Sequence, residues 1–415
     1  MQNSVEALLA TDPFSLDLMA DPLPFYRALR DHDPRRYYPE YDTFFFARFQ
    51  DVWDVLRVGG NAFVATETNL PTPQYLRTHR NSGAPEFAST NPMAPGPSLH
   101  SPYYEQMRHA HIAPLRPRNV VNLKAFISEF SAQRLAELRR HGKFDVVGDY
   151  AGMTAASTVC HLFGIPLDHA GAILDYVYQI TRVDPAQGGV DLGSFFVKLK
   201  QFILPPVEER RAAGADGSNA LIDGLMRYRS EDGRALGDEE IADQLVCVMI
   251  GGLESVAKVT GQGLMELWKR PDQLAAIRAD LDANVPIAVN EIVRYCAPAQ
   301  YTFRTAHKDI EIAGHQIRAG QRVACLLHSA SRDEREFDDP EAFIWDRKIP
   351  RVVSFGVGQH HCIGKHLALL EVQILLTEFL SRVDRFEFVM DEAERNPSCF
   401  QRGWTKLPVV VGEAA

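Results

Sequence analysis

Apolar and polar positions follow three successive patterns along the chain. The first 65 residues mix short helix-period stretches with an extended apolar run, Tyr41 to Phe49, which predicts a small sheet near the N-terminus. Regular periodicity is then lost between Pro71 and Pro117, a stretch holding nine of the 25 prolines together with Asn81, Gly83, Asn91 and Gly96. Long helices are not expected until it ends, and a loop of this length usually has a function. From 119 to 300 the period is helical, broken at Gly164 to Pro166, Asp184 to Gly189 and Gly214 to Ser218. Asp238, Glu239 and Glu240 open a segment that runs unbroken to about Lys269 and is stopped by Pro271, acidic at its start and basic at its end. About 30 residues of helix is a rod of roughly 45 Å. After 300 the pattern turns to strands: Ile310 to Ile312 and His315 to Ile317 flank an Ala313-Gly314 turn, and Val323 to Leu327 follows. A final helix is expected from Gly364 to Val383, then short strands near Phe386 to Val389 and Val409 to Val411. The fold class is mainly α with a small β region, and no internal repeat is present.

Composition narrows the function rather than the fold. With 46% apolar and 24% charged residues in 415, the chain can bury a large core as one unit. Its net charge of -10 argues against a nucleic-acid coat or an anionic-membrane binder, which need a basic surface. The N-terminus reads as neither signal peptide nor membrane anchor, since its longest apolar run is Ala7 to Ala10 and no Lys or Arg precedes Arg27. Cys160, Cys247, Cys296, Cys325, Cys362 and Cys399 form no C-x-x-C pair and no zinc spacing, so a reduced, cytoplasmic setting is expected.

Candidate chemistry concentrates in residues 355 to 364, Phe-Gly-Val-Gly-Gln-His-His-Cys-Ile-Gly, directly before the last apolar helix. Three glycines permit a tight turn that approaches another group closely. Cys362 stands at a helix N-terminus, where the dipole and free N–H groups favour a thiolate and tune a metal bound to it. A lone thiolate suits haem iron. One cysteine in a glycine-rich turn is ordinarily core. The pattern F-G-x-G-x-H-x-C-x-G, however, fixes six positions and would arise by chance in fewer than about one chain in 10^5 of ordinary composition.

In these ten residues the chain resembles the cytochrome P-450 haem-thiolate monooxygenases. The resemblance extends from Asp21-Pro22 to Leu407-Pro408 and implies one triangular-prism domain over residues 1–415, with haem b (iron protoporphyrin IX) ligated by Cys362 between the long helix and the last one. It also implies a buried charge network of Glu291, Arg294 and Arg347, from Glu291-Ile292-Val293-Arg294 and the Pro340-to-Arg347 segment, holding the cysteine loop in place. Other Glu-x-x-Arg spacings occur in the chain, and position selects this one. Gly251-Gly252-Leu253-Glu254-Ser255 matches the helix segment that passes over the haem, where two helical glycines cost roughly 1 kcal/mol each relative to alanine. Glu254 and Ser255 are the implied catalytic pair. Serine replaces the usual threonine, keeping the hydroxyl for proton delivery without the rotamer-restraining methyl. Arg108, Arg304 and His360 fall where the family binds the haem propionates, although Tyr104 replaces the usual histidine before Arg108.

The implied reaction uses dioxygen and two external electrons to hydroxylate a C–H bond or remove an alkyl group. With no fused flavin or ferredoxin domain expected, electrons would come from a separate ferredoxin with its reductase and NAD(P)H. Arg108, Arg116, Arg118 and Lys124, with Arg347, Lys348, Arg351 and Lys365, are the expected basic docking face for that donor. Pocket positions would be Cys247, Ile250, Gly251, Ser255, Ala299, Gln300, Phe400 and Gln401, with Tyr75, Leu76 and Phe87 from the proline-rich loop. They are mainly apolar and suggest a small hydrophobic terpenoid or aromatic substrate. Arg77, His79 and Arg80 keep aromatic acids as the alternative. A peroxide-driven or rearranging haem-thiolate enzyme would not need Glu254 and Ser255, and a haem sensor would need an output module.

Overall fold

The computed structural model describes residues 2–59, 61–65, 71–80, 83–84, 91–96, 99–181, 192–217, 219–395 and 400–412. Its axis is the helix Asp238–Trp268, one residue short of the expected end. Three acidic residues fill its first turn, and Glu240 Oε2 accepts from the Gly237 N–H at 2.8 Å, closing the exposed N-terminus. Apolar residues on most of its faces let it run through the interior. There it touches the helices Met153–Phe163, Leu192–Ala212, Leu281–Cys296 and Lys365–Arg382. One apolar cluster gathers around Phe163, Leu199, Leu245 and Met249, and a second around Leu264, Ile292, Leu375 and Phe379. The helix Lys365–Arg382 feeds both, through Leu367 and Ile374 to the first and Leu375 and Phe379 to the second.

The helix Met153–Phe163 stops where Gly164 adopts a φ of 74°, and Leu192–Ala212 ends just before Gly214, at 82°. The break expected at 184–189 lies outside the described residues. Within the proline-rich stretch, contrary to expectation, a ten-residue helix forms at Tyr103–Ile112. Pro102 occupies its N-cap and Pro114 follows its end, so no proline interrupts its hydrogen bonds.

The largest sheet has five strands in the order Arg35–Tyr38, Thr43–Phe46, Arg322–Cys325, Thr302–Ala306 and Phe63–Val64. Thr43–Phe46 runs parallel to Arg322–Cys325, and the other pairs are antiparallel. Two expected strands are shorter than their apolar runs. Phe49 already opens the helix Phe49–Arg57, and the strand ending at Cys325 gives way to the short helix Leu327–Ala330. The hairpin Ile310–Ile312 to His315–Ile317 forms as expected, with positive φ at both turn residues, Ala313 (51°) and Gly314 (75°).

Candidate active site

The cysteine loop owes its path to two glycines. Gly356 (φ 67°) and Gly358 (φ 72°) take left-handed conformations, and a Cβ on Gly358 would lie 2.3 Å from the Leu56 carbonyl oxygen. The loop then turns so that the Cys362 N–H donates to Phe355 O at 2.7 Å. Cys362 is an exposed, free thiol that the neighbouring protein still desolvates. Burial pushes the free thiol up, while N–H groups of Gly364 and Lys365 and the charges of Arg108 and Lys365 pull it back. These are the groups that would favour a sulfur ligand carrying negative charge.

The Glu291, Arg294 and Arg347 side chains meet as expected. Arg294 grips Glu291 with two bonds, 2.6 and 2.8 Å, both residues being fully buried, and Arg347 Nε reaches the same carboxylate at 3.2 Å. Arg294 also donates to the carbonyls of Ser331, Pro340 and Ala342. Ser354 Oγ donates to Val293 O at 3.0 Å, tying the start of the cysteine loop to the same helix.

Arg108, Arg304 and His360 converge beside the loop. His360 is tilted against the Tyr104 ring at 4.1 Å, and burial, followed by the charges of Arg304 and Arg108, lowers its pKa to about 3. Arg304 points inward from the strand Thr302–Ala306 and spends one nitrogen on Thr302 Oγ1 and Phe303 O. Arg108 donates to Tyr104 Oη at 3.0 Å and to His361 Nε2 at 2.9 Å, and His361 Nδ1 lies 2.9 Å from Gly358 O, which sets the ring's tautomer. Tyr104 and His361 thus position Arg108, a role that sequence reading missed for His361 although it lies inside the motif. Among the described residues neither arginine meets a carboxylate. A group bringing its own carboxylates, as haem does, fits this cradle.

The middle of the long helix shows an incompletely buried stripe of Cys247, Val248, Ile250, Gly251, Gly252 and Ser255 between buried neighbours such as Met249, Leu253 and Glu254. The two glycines differ. A Cβ on Gly252 would press on Val159 at 3.2 Å, whereas one on Gly251 would enter open space. Gly251 therefore leaves room clear beside the helix, and Gly252 lets the helix pack. Ser255 Oγ donates back to Gly251 O at 3.3 Å. Glu254 faces away from that stripe, 1% exposed, and pairs with Lys258. The i,i+4 spacing of these two is the sequence signal for that pair.

Some expected pocket residues lie elsewhere. Gln300 is fully buried against the N-terminal cluster, its Oε1 accepting from Tyr26 Oη (3.1 Å) and its amide near Met19 Sδ, whereas its neighbour Ala299 packs against a different apolar cluster. Leu76 belongs to the same cluster, and Tyr75 stacks with His79 at 4.0 Å. Phe400 packs near Tyr301 at 6.1 Å, while Gln401 bridges to Ala299 and accepts from Lys258. Phe87 and Cys399 lie outside the described residues. Of the expected basic face, Arg347 is consumed by Glu291, and Arg351 by Glu336 (2.6 and 2.9 Å) and the rings of Phe49 and Trp53. Arg118, Lys124 and Lys348 stay exposed.

Comparison with known proteins agrees with this geometry. The Cytochrome P-450 family model matches residues 143–410. Cytochrome P-450 130 of Mycobacterium tuberculosis is 28% identical over 88% of this chain and 89% of its own length. The 6-deoxyerythronolide B hydroxylase of Saccharopolyspora erythraea is 30% identical over 70% of this chain and 72% of its own. Among solved structures, a cytochrome P-450 from Chondromyces apiculatus superposes with a TM-score of 0.81 at 26% identity, covering 98% of this chain and 99% of that one. Loop, cradle and relatives lead to one conclusion: the chain belongs to the bacterial cytochromes P-450, monooxygenases that work with iron protoporphyrin IX.

Proposed function

We propose that the substrate is a neutral, hydrophobic molecule of terpenoid or aromatic type, hydroxylated or oxidatively dealkylated with electrons from a separate ferredoxin. The observation that carries the site assignment is the convergence of Arg108, Arg304 and His360 beside Cys362. Bound there, haem supplies dioxygen activation, to which a thiolate ligand contributes electron density. Cys362 would ligate the iron, Arg108, Arg304 and His360 would hold the propionates, and the Gly251 side of the long helix would face the substrate. Ser255 offers a hydroxyl at that face for passing protons inward, with Glu254 as the adjoining acid.

Apolar Cys247, Val248 and Ile250 on the helix favour a hydrophobic substrate over an aromatic acid. So does the fate of Arg77, whose guanidinium is held by Glu40 and Asp12 and by Tyr41 Oη rather than left for a substrate carboxylate. For the donor, a cleft of about 450 Å³ lies against the cysteine loop, lined by Trp53, Ile349, Phe355, His361, Lys365 and Leu369. Exposed Lys348 adjoins it, and the helix Pro117–Val120 bearing Arg118 touches the helix after the loop. An acidic iron-sulfur protein suits that face, and reduction slowed by salt would support it. Among the described residues no helix is long and apolar enough to cross a membrane, and the five described cysteines are free thiols, in keeping with a cytoplasmic enzyme.

The deciding experiment is the carbon monoxide difference spectrum of the reduced protein, followed by titration of the ferric form with small terpenes, phenols and aromatic acids. A strongly red-shifted Soret band lost in Cys362→Ser, and a low-to-high-spin change with neutral compounds only, are the expected results. Failure to bind haem, or an unshifted band, would overturn the site. A spin change with acids alone would overturn the substrate class.

A further inference from the structure

A second cavity, of about 130 Å³, lies between the C-terminal half of the long helix, the end of Leu281–Cys296 and the segment 402–403. Its walls carry His328, Arg332, Arg395 and Arg402. The fully buried His328 receives two guanidinium groups at one atom: Arg332 Nη1 and Arg402 Nη1 each lie 3.2 Å from its Nε2. Arginine only donates, so that nitrogen accepts and the ring is neutral. Two cations are therefore packed against a single uncharged acceptor.

Arg332 has a counter-charge, Glu341 Oε2 at 3.2 Å, and stacks on Tyr295 at 4.3 Å. Arg402 forms no ion pair among the described residues, Asp21 acting on it only from a distance, and its buried Nε has no partner. Arg395, stacked on Trp404 at 4.1 Å, likewise forms no ion pair among the described residues. Glu266, the carboxylate on the wall, is already engaged by Arg270 at 2.6 Å and Lys269 at 3.4 Å. Three guanidinium groups converging where only Arg332 is paired with a carboxylate are costly unless an anion joins them.

We propose that this cavity is an oxyanion site, taking inorganic phosphate or the phosphate of a monoester. A carboxylate is satisfied by one guanidinium fork, whereas a phosphate offers oxygens in several directions to arginines arriving from different elements. Roughly 10–15 Å³ holds one water, so the space admits a polyatomic ion. The site is distinct from the haem cradle and independent of the substrate assignment. It still shares a backbone with the active site, since Gln401, next to Arg402, accepts from Lys258. Phosphate held by Arg402 would fix the segment that Lys258 grips.

The test is calorimetric titration of the haem-loaded protein with inorganic phosphate, and in a second arm with glycerol phosphate, at ionic strength matched with chloride. One equivalent should bind and raise the melting temperature. Arg395→Gln, at an exposed position, should weaken binding by about tenfold or more, the loss of one charge-assisted bond. Its carbon monoxide band should stay unchanged, and Arg402→Lys should weaken binding similarly. Tighter binding of the monoester identifies an organic phosphate as the ligand, and tighter binding of phosphate identifies the free ion. No binding, or equal binding in both variants, would overturn the proposal.

Discussion

Glu254 Oε1 lies 3.0 Å from Lys258 Nζ one helical turn away, with the two side chains 1% and 0% exposed. Lys258 also donates to Gln401 Oε1 at 3.2 Å, so the acid beside Ser255 is anchored to the segment that leads into the C-terminal strands. Removing one partner of a buried pair leaves an uncompensated charge, so Lys258→Met should cost about 3–5 kcal/mol, and Glu254→Gln combined with Lys258→Met should cost clearly less than that. Denaturant unfolding of the four haem-loaded proteins measures the difference. An additive double variant would show that the two charges act independently.

Arg294 donates to a carboxylate and three carbonyls, a set no smaller side chain can reproduce. Arg294→Ala should leave Glu291 buried and opposed only by Arg347, and should yield protein with little bound haem. Arg294→Lys should fail almost as badly, since an ammonium lacks the fork. Full haem occupancy in Arg294→Ala, read from the carbon monoxide band per mole of protein, would remove the network's assigned role.

The cradle predicts haem retention rather than turnover. Arg304→Leu and Arg108→Leu should each speed haem transfer to an excess of apomyoglobin by about tenfold or more, as expected for losing a charge-assisted hydrogen bond. Tyr104→Phe should have a smaller effect, because it removes only the hydroxyl that orients Arg108.

Ser255→Ala should consume reducing equivalents at a near-normal rate while releasing them as hydrogen peroxide, because it removes the hydroxyl that the incompletely buried side of the helix carries, bonded to Gly251 O. Product and peroxide are assayed together. Unchanged coupling would mean that protons arrive by another route.

Glu371, buried on the helix after the cysteine loop, is pushed by burial up to about 8 from an ordinary 4.5, only partly offset by the Thr158 hydroxyl. The folded protein thus holds a proton that the unfolded chain releases. The stability this contributes is complete below pH 4.5 and is lost as pH rises towards 8. Glu371→Gln, neutral throughout, should flatten that part of the profile in thermal melts between pH 5 and 8. An unaltered slope would show that other groups set it.

Local signals accounted for much of this structure. The long helix, the hairpin turn and the cysteine loop are each specified within a few dozen residues, by acidic first turns, positive-φ residues and glycines at required positions. The family resemblance located Glu291, Arg294 and Arg347 but not their bonds. What the sequence concealed was direction. Gln300 and Ala299 differ by one position and pack into different clusters, and only tertiary contacts of the connection before the strand Thr302–Ala306, with Tyr26 on one side and Gln401 on the other, decide which. Arg351 read as surface charge because Glu336, which absorbs it, lies 15 residues away in sequence.

The parallel pairing of Thr43–Phe46 with Arg322–Cys325 sets an order on synthesis. Gln321 Nε2 donates to Asp42 across 279 positions, so the early strand leaves the ribosome long before its partner exists. Phe44, Phe45 and Phe46 must wait through most of translation as an unpaired apolar edge. The strand bearing Arg304 also depends on Phe63–Val64 for its other neighbour. A fragment trimmed to residues 143–410 would leave that arginine on an open sheet edge, so shortened versions of this enzyme should fail at assembly before they fail at chemistry.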